Sequence, residues 1–150
     1  QDTILRRFKA LYGEHVNDRT APFDGVPQLM RALRDAGIHI AVNSNKPDPA
    51  TKLLCRAHYD GVVELALGEQ PDIPKKPAPD GAFSIMRAFG AAAGRTLYVG
   101  DGDADLRTAE NAGIDCAWVC WGYRRRAELE GLAIPHAFDS PLSLQTFILE

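Results

Sequence analysis

Apolar residues along this chain fall into helical stripes and short unbroken runs, and the two kinds alternate. Across residues 3–15, Ile4, Leu5, Phe8, Leu11 and Tyr12 line one face while Arg6, Arg7 and Lys9 lie elsewhere, which predicts an amphipathic helix needing a partner surface. Residues 16–22 are polar and predict a connector. Asp24 then stands where it can cap a helix bearing Val26, Leu29, Met30 and Leu33 on one side and ended by Gly37. A short strand, 38–42, runs into Asn43-Ser44-Asn45-Lys46-Pro47, and the proline starts a helix reaching to about His58. Residues 62–67 form a third apolar segment, of strand type, and 68–79 a long irregular one. Asp80 is placed to cap a helix with Ala82, Phe83, Met86 and Phe89 inward and Gly90 at its end.

The second half repeats the scheme. Thr96, Leu97, Tyr98 and Val99 are β-prone and open through Gly100 onto Asp101, Asp103 and Asp105, after which Leu106, Ala109 and Ala112 recur at helical spacing up to Gly113. Residues 116–121 read as a further strand, Gly122-Tyr123 as a turn, 124–131 as a short helix, 137–138 as an edge strand and 142–149 as a last amphipathic helix. Strand-turn-helix units in series predict an α/β fold: a doubly wound parallel sheet with right-handed crossovers and helices on both faces. The polar turns after Val42, before Asp80 and after Val99 then gather near the carboxyl ends of the strands, where such folds keep their sites.

At 150 residues, 45% hydrophobic and 25% charged, the chain can bury one core. A net charge of −3 and no basic run beyond 124–126, explained as a solvated helix start, argue against nucleic acid or an anionic membrane as partner. The three cysteines form no CxxC, and the four histidines have no metal-ligand spacing, so neither a disulfide framework nor a zinc site is indicated. A reducing, cytoplasmic setting is expected. No apolar run approaches transmembrane length. Nothing in the pattern sets an oligomeric state.

The acidic turn carries the first candidate chemistry. Carboxylates gathered there repel unless a hard divalent cation such as Mg²⁺ neutralises them; the alternative is a solvated turn in which Asp103 or Asp105 caps the helix. An EF-hand is excluded, because Leu106 and Ala112 stand where that loop needs Gly and Glu. At the 43–47 turn, Ser44 Oγ, the Asn45 side chain and free backbone N–H groups could hold a phosphate, or simply close the turn. Lys75 and Lys76 precede Pro77-Ala78-Pro79, which keeps the backbone extended and aims a lysine at a fixed point. A hydroxyl-amide cradle, a fixed lysine and a carboxylate metal site together suit phosphoryl transfer.

These residues resemble the haloacid dehalogenase superfamily, and within it the phosphoglycolate phosphatase group, over essentially the whole chain. Asn43-Ser44-Asn45-Lys46-Pro47 is similar to the family's second motif, Lys76-Pro77-Ala78-Pro79 to its third and Gly100-Asp101-Gly102-Asp103-Ala104-Asp105 to its fourth; Trp121-Gly122-Tyr123 resembles a later turn of that group. The resemblance implies a Rossmann-like core over residues 21–150, with residues 1–20 the end of a helical cap and its connector. It implies that Ser44 and Asn45 contact the transferring phosphoryl group of a small phosphorylated metabolite, that Lys76 neutralises it, that Asp101 holds Mg²⁺ and that Asp105 supports the metal. Asp103 occupies a position the pattern leaves free. The family's first motif, Asp-x-Asp-Gly-Thr on an N-terminal strand, has no match here. The expectation is therefore that the nucleophile, its strand and most of the cap lie upstream of Gln1, that the span alone does not turn over, and that the strands ending at Val42 and Val99 expose unpaired inner edges. A metal-free dehalogenase is disfavoured by Asp101 with Asp105. A phosphoacceptor receiver domain is disfavoured by the chain order Ser44, Lys76, Asp101. The remaining alternative is a non-catalytic phosphate- and metal-binding protein.

Overall fold

Parallel strands separated by helices follow one another along the chain in the order α1 (Val26–Asp35), β1 (Ala41–Pro47), α2 (Asp48–Tyr59), β2 (Leu65–Glu69), α3 (Asp80–Phe89), β3 (Leu97–Gly100), α4 (Asp103–Ala112), β4 (Asp115–Val119), β5 (His136–Phe138) and α5 (Pro141–Leu149). This is a computed structural model, and it describes residues 3, 4, 6, 7, 15–124, 126–129, 134 and 136–150. Thr3, Ile4, Arg6 and Arg7 are helical, while Leu5, Phe8, Leu11 and Tyr12 of the first predicted stripe lie outside the described residues. So do several residues of the short helix expected at 124–131, where Arg126–Leu129 forms a 3-10 turn. Among the described residues no helix is long and apolar enough to cross a membrane.

The pairing is parallel throughout but divided. β1 pairs with β2 from Ala41↔Leu65 to Asn43↔Leu67, loses register, and pairs again at Pro47↔Glu69. β3 pairs with β4, and β4 with β5. Among the described residues no ladder joins β1 to β3, so a two-stranded and a three-stranded sheet stand side by side. Packing bridges them instead. Leu29 and Leu33 of α1, Ala117 and Val119 of β4 and Leu144 of α5 form one core, against which Ile40 from beside β1 and Leu97 from β3 both pack. On the other face Ala82 of α3, Ala109 and Ala112 of α4, Ile114 and Cys116 form the second core. The predicted double winding is therefore present, with helices on both faces of β4. Burying each large aliphatic side chain is worth about 1.5–3 kcal/mol, and the first of these cores spans the two halves. The unpaired edge of β3 leaves Val99 45% exposed, unusual for an apolar residue near the middle of a fold.

Several boundaries differ from the sequence reading. Asp24 does not cap α1: Gly25 is the N-cap, with a left-handed φ of 81° and no side-chain cap bond. Asp80 lies inside the first turn of α3 behind Pro79 rather than capping it. β1 begins later than residue 38 and runs through the polar motif to Pro47, because its extended backbone follows β2 past the register break. α2 consequently starts at Asp48. There the Asp48 carboxylate takes Lys52 Nζ at 2.7 Å, and also accepts the Gly68 N–H at 3.0 Å and the Gln70 Nε2 at 3.2 Å. It ties α2 to β2.

The Lys52 bond, against the opposing cost of burial and helped by Gly68 and Gln70, holds the Asp48 carboxyl below its ordinary value of 3.8. A depressed acid stabilises the fold above its unfolded pKa and loses that contribution as pH falls through the folded one. Asp48→Asn should therefore lower stability by about 1–2 kcal/mol at pH 7. The gap from the parent should shrink below about pH 4, as read by urea melts at both pH values.

Candidate active site

The site is assembled around one carboxylate. Asp105 lies in the first turn of α4, and its Oδ2 accepts the backbone N–H of Asp101 at 3.3 Å and of Gly102 at 3.2 Å. That bonding cups the end of β3 around the side chain, so closely that a Cβ on Gly100 would overlap it. Oδ1 receives Lys76 Nζ at 2.6 Å, the two side chains being 12% and 15% exposed. Removing two charges from water is costly, and the cost is met here because the carboxylate is surrounded by one ammonium and two amide donors.

Lys76 is held by its backbone as firmly as by its ammonium. The Asn45 side chain donates Nδ2 to the Lys76 carbonyl at 3.1 Å and accepts the Lys76 N–H on Oδ1 at 2.9 Å. Asn111 of α4 donates to the Pro77 carbonyl at 2.9 Å, and the Lys76–Pro77 peptide is cis. Lys75 turns the other way, onto Glu69 at 2.9 Å. Asn43, two residues before Asn45 on β1, donates its Nδ2 to the Tyr98 hydroxyl at 3.2 Å across the divide between the sheets. Ser44 Oγ accepts the Lys46 N–H at 3.1 Å. No bond among the described residues joins Ser44 to the Lys76–Asp105 group. Both polar atoms of the Asn45 side chain are thus engaged by Lys76.

Asp101 leads the turn, and its Oδ2 accepts the Tyr123 N–H at 2.7 Å. Gly122 comes so near this carboxylate that any side chain there would overlap it. Asp103, farther round, pairs with Arg124 at 2.6 Å. The Tyr98 phenol beneath is raised well above its ordinary pKa, first by burial and then by the Asp105 charge, so it stays neutral. Burial, followed by Asp105 and Glu110, pushes the Cys116 thiol up to about 11, which keeps it unreactive at neutral pH.

Among the described residues no three His, Cys, Asp or Glu side chains are grouped to enclose a metal. A cation of the Mg²⁺ type does not need such a cage, since it keeps most of its waters and takes one or two carboxylates with substrate phosphate. Both oxygens of Asp105 are in use, whereas Asp101 Oδ1 has no bond to the described residues. The donor present is one hard oxygen at the carboxyl end of β3, which fits such a cation.

Comparison with known proteins agrees with this arrangement. Residues 1–113 match the family model of haloacid dehalogenase-like hydrolases. The chain belongs to that family. It is 32% identical over 124 residues to the phosphoglycolate phosphatase of Aquifex aeolicus, covering 82% of this chain and 58% of that protein. To the Thiobacillus denitrificans phosphoglycolate phosphatase it is 34% identical over 123 residues, covering 81% and 54%. The chain spans about half the length of the curated relatives it matches. The crystal structure of a candidate phosphoglycolate phosphatase from Lactobacillus delbrueckii subsp. bulgaricus superimposes with a TM-score of 0.92 at 34% identity, over 98% of this chain and 62% of that one. An aspartate-to-asparagine variant of CbbY from Rhodobacter sphaeroides, in complex with xylulose-1,5-bisphosphate, gives 0.74 at 26% identity over 93% of this chain and 61% of that one.

Within this member of the haloacid dehalogenase-like hydrolase family, the structure links Asn45, Lys76, Asp101 and Asp105 through hydrogen bonds, and among the described residues no such bond joins Ser44 to them. Sequence reasoning missed Asn43, Tyr98, Asn111 and Arg124. Each acts through a partner between 21 and 55 residues away, and no local spacing announces such a contact. Asp105→Ala should cost about 2–4 kcal/mol, because it strands a half-buried lysine and two amides; Asp103→Ala, more exposed, should cost less than about 1 kcal/mol. Adding Lys76→Met to Asp105→Ala should recover part of the loss, so denaturant melts of the parent, Asp105→Ala, Lys76→Met and the double variant should be non-additive.

Proposed function

We propose that this chain forms the phosphate-handling part of a Mg²⁺-dependent phosphatase acting on a small phosphate monoester, phosphoglycolate or a sugar phosphate of similar size. The observation that carries the reading is that Asp105 ties the acidic turn to the lysine loop, taking the Lys76 ammonium and the Asp101 backbone N–H on its two oxygens, while Asn45 of the 43–47 turn holds the Lys76 backbone. The names of the relatives support the reaction class, and the bisphosphate in the CbbY complex supports the substrate class. The non-catalytic alternative draws no support from relatives named as hydrolases.

In this reading Ser44 Oγ and the Asn45 N–H contact the phosphoryl oxygens, and Lys76 neutralises them. Asp101 holds Mg²⁺, and Asp105 supports the site by orienting Lys76 and the Asp101 backbone. When bound, the cation polarises the phosphoryl oxygens and offsets their charge. The attacking aspartate is supplied from outside these 150 residues, on a strand seated between β1 and β3. The divided sheet and the exposed Val99 support that placement. That carboxylate attacks phosphorus, the ester P–O bond breaks, and the leaving oxygen takes a proton from the second aspartate of the same motif. Water then cleaves the aspartyl-phosphate to release inorganic phosphate. Residues 1–20 are read as the end of a cap over the site.

In protein carrying the nucleophile strand, Lys76→Ala should lower kcat by about 10²-fold or more, while Lys75→Ala should be mild. Asp101→Asn should weaken Mg²⁺ binding in calorimetric titration far more than Asp103→Asn, and chelation should abolish turnover. Multiple turnover by the purified 150-residue span, lost on Asp101→Asn, would overturn the external nucleophile.

A further inference from the structure

The turn after β4 is held against the start of α4 at two points, of which only one lies at the site. Tyr123 N–H donates to Asp101 Oδ2 at 2.7 Å, and the adjacent Arg124 Nη2 donates to Asp103 Oδ2 at 2.6 Å. The Tyr123 ring is 82% exposed, so it adds little packing to keep the turn in place. The turn must nevertheless stay close, since Gly122 approaches Asp101 within reach of only a hydrogen atom. A carboxylate in the first turn of a helix is favoured by the helix dipole alone, which would account for Asp103. It would not account for the Arg124 guanidinium, which reaches back 21 residues in sequence to meet it.

We propose that Asp103 and Arg124 are positioning residues: their ion pair clamps the Gly122-Tyr123 turn to α4, so that the Tyr123 N–H keeps Asp101 Oδ2 occupied and Oδ1 is the oxygen offered to the cation. The consequence for Mg²⁺ rests on the reading of Asp101 as metal ligand given above; the clamp itself does not. Because Asp103 is about half exposed and Arg124 a third, the pair is a modest restraint. It acts on orientation rather than on folding.

The test follows the Tyr123 amide by hydrogen exchange NMR in the full chain, beside calorimetric Mg²⁺ titration. The set comprises the parent, Asp103→Asn, Arg124→Gln, the exchanged pair Asp103→Arg with Arg124→Asp, and Asp101→Asn. Both single variants should speed Tyr123 exchange about three- to fivefold and weaken Mg²⁺ by a similar factor, and the exchanged pair should restore at least half of each. A pure helix-dipole role would move Asp103→Asn and leave Arg124→Gln at parent values, overturning the proposal. Unchanged Tyr123 exchange in both single variants would also overturn it. If Asp101→Asn weakens Mg²⁺ but neither clamp variant does, the proposal falls while the site reading stands. If Asp101→Asn leaves Mg²⁺ affinity intact, the site reading falls and Tyr123 exchange alone decides the clamp.

Discussion

A carboxylate held nearly out of water needs its full set of donors, and the site takes its shape from that requirement at Asp105. Two donors come from its own turn, the N–H groups of Asp101 and Gly102, and the third is an ammonium carried on a loop 29 residues earlier. Remove the lysine and the carboxylate keeps its two amide donors but loses its counter-charge; remove the carboxylate and the lysine is stranded. The neighbouring features follow from this exchange. Gly100 is bare because Asp105 occupies the space its side chain would need. Asn45 and Asn111 hold the backbone of the lysine loop so that its ammonium arrives in one place.

The same network compensates for a divided sheet. With no ladder between β1 and β3, strand pairing cannot fix the relative positions of the 43–47 turn and the 100–105 turn. Three kinds of contact do so instead: the shared core in which Ile40 and Leu97 meet α1 and α5, the Asn43–Tyr98 bond, and the relay from Asn45 through Lys76 to Asp105. Such side-chain ties are more easily opened than a ladder. A strand inserted at the divide would replace them with backbone hydrogen bonds, and would place its own residues between the 43–47 turn and the acidic turn.

This arrangement also separates two jobs that a motif reading runs together. In the 43–47 motif the Asn45 side chain is spent on positioning Lys76, while the Ser44 hydroxyl accepts the Lys46 N–H within its own turn. In the acidic motif, Asp105 is spent on Lys76 and the turn, and Asp101 keeps an oxygen available. Residues of one chemical type within a single short motif thus have different duties, set by which of them meets a donor from elsewhere in the chain.

Much of the architecture was legible from periodicity alone. Of the stripe Val26, Leu29, Met30, Leu33, the two leucines do enter the core, Gly90 and Gly113 do end their helices, and alternation of strands with helices does produce parallel pairing. These are local properties, in which neighbours along the chain are neighbours in space. The amino-acid order also brought Ser44, Asn45, Lys76, Asp101 and Asp105 into view as a set, since polar turns at the carboxyl ends of parallel strands must converge. What it could not determine was who bonds to whom. Arg124 read as a solvated helix start, yet it meets Asp103; Asn45 read as a phosphate donor, yet its side chain grips Lys76. Those outcomes depend on distances between segments tens of residues apart, which only the packed cores establish.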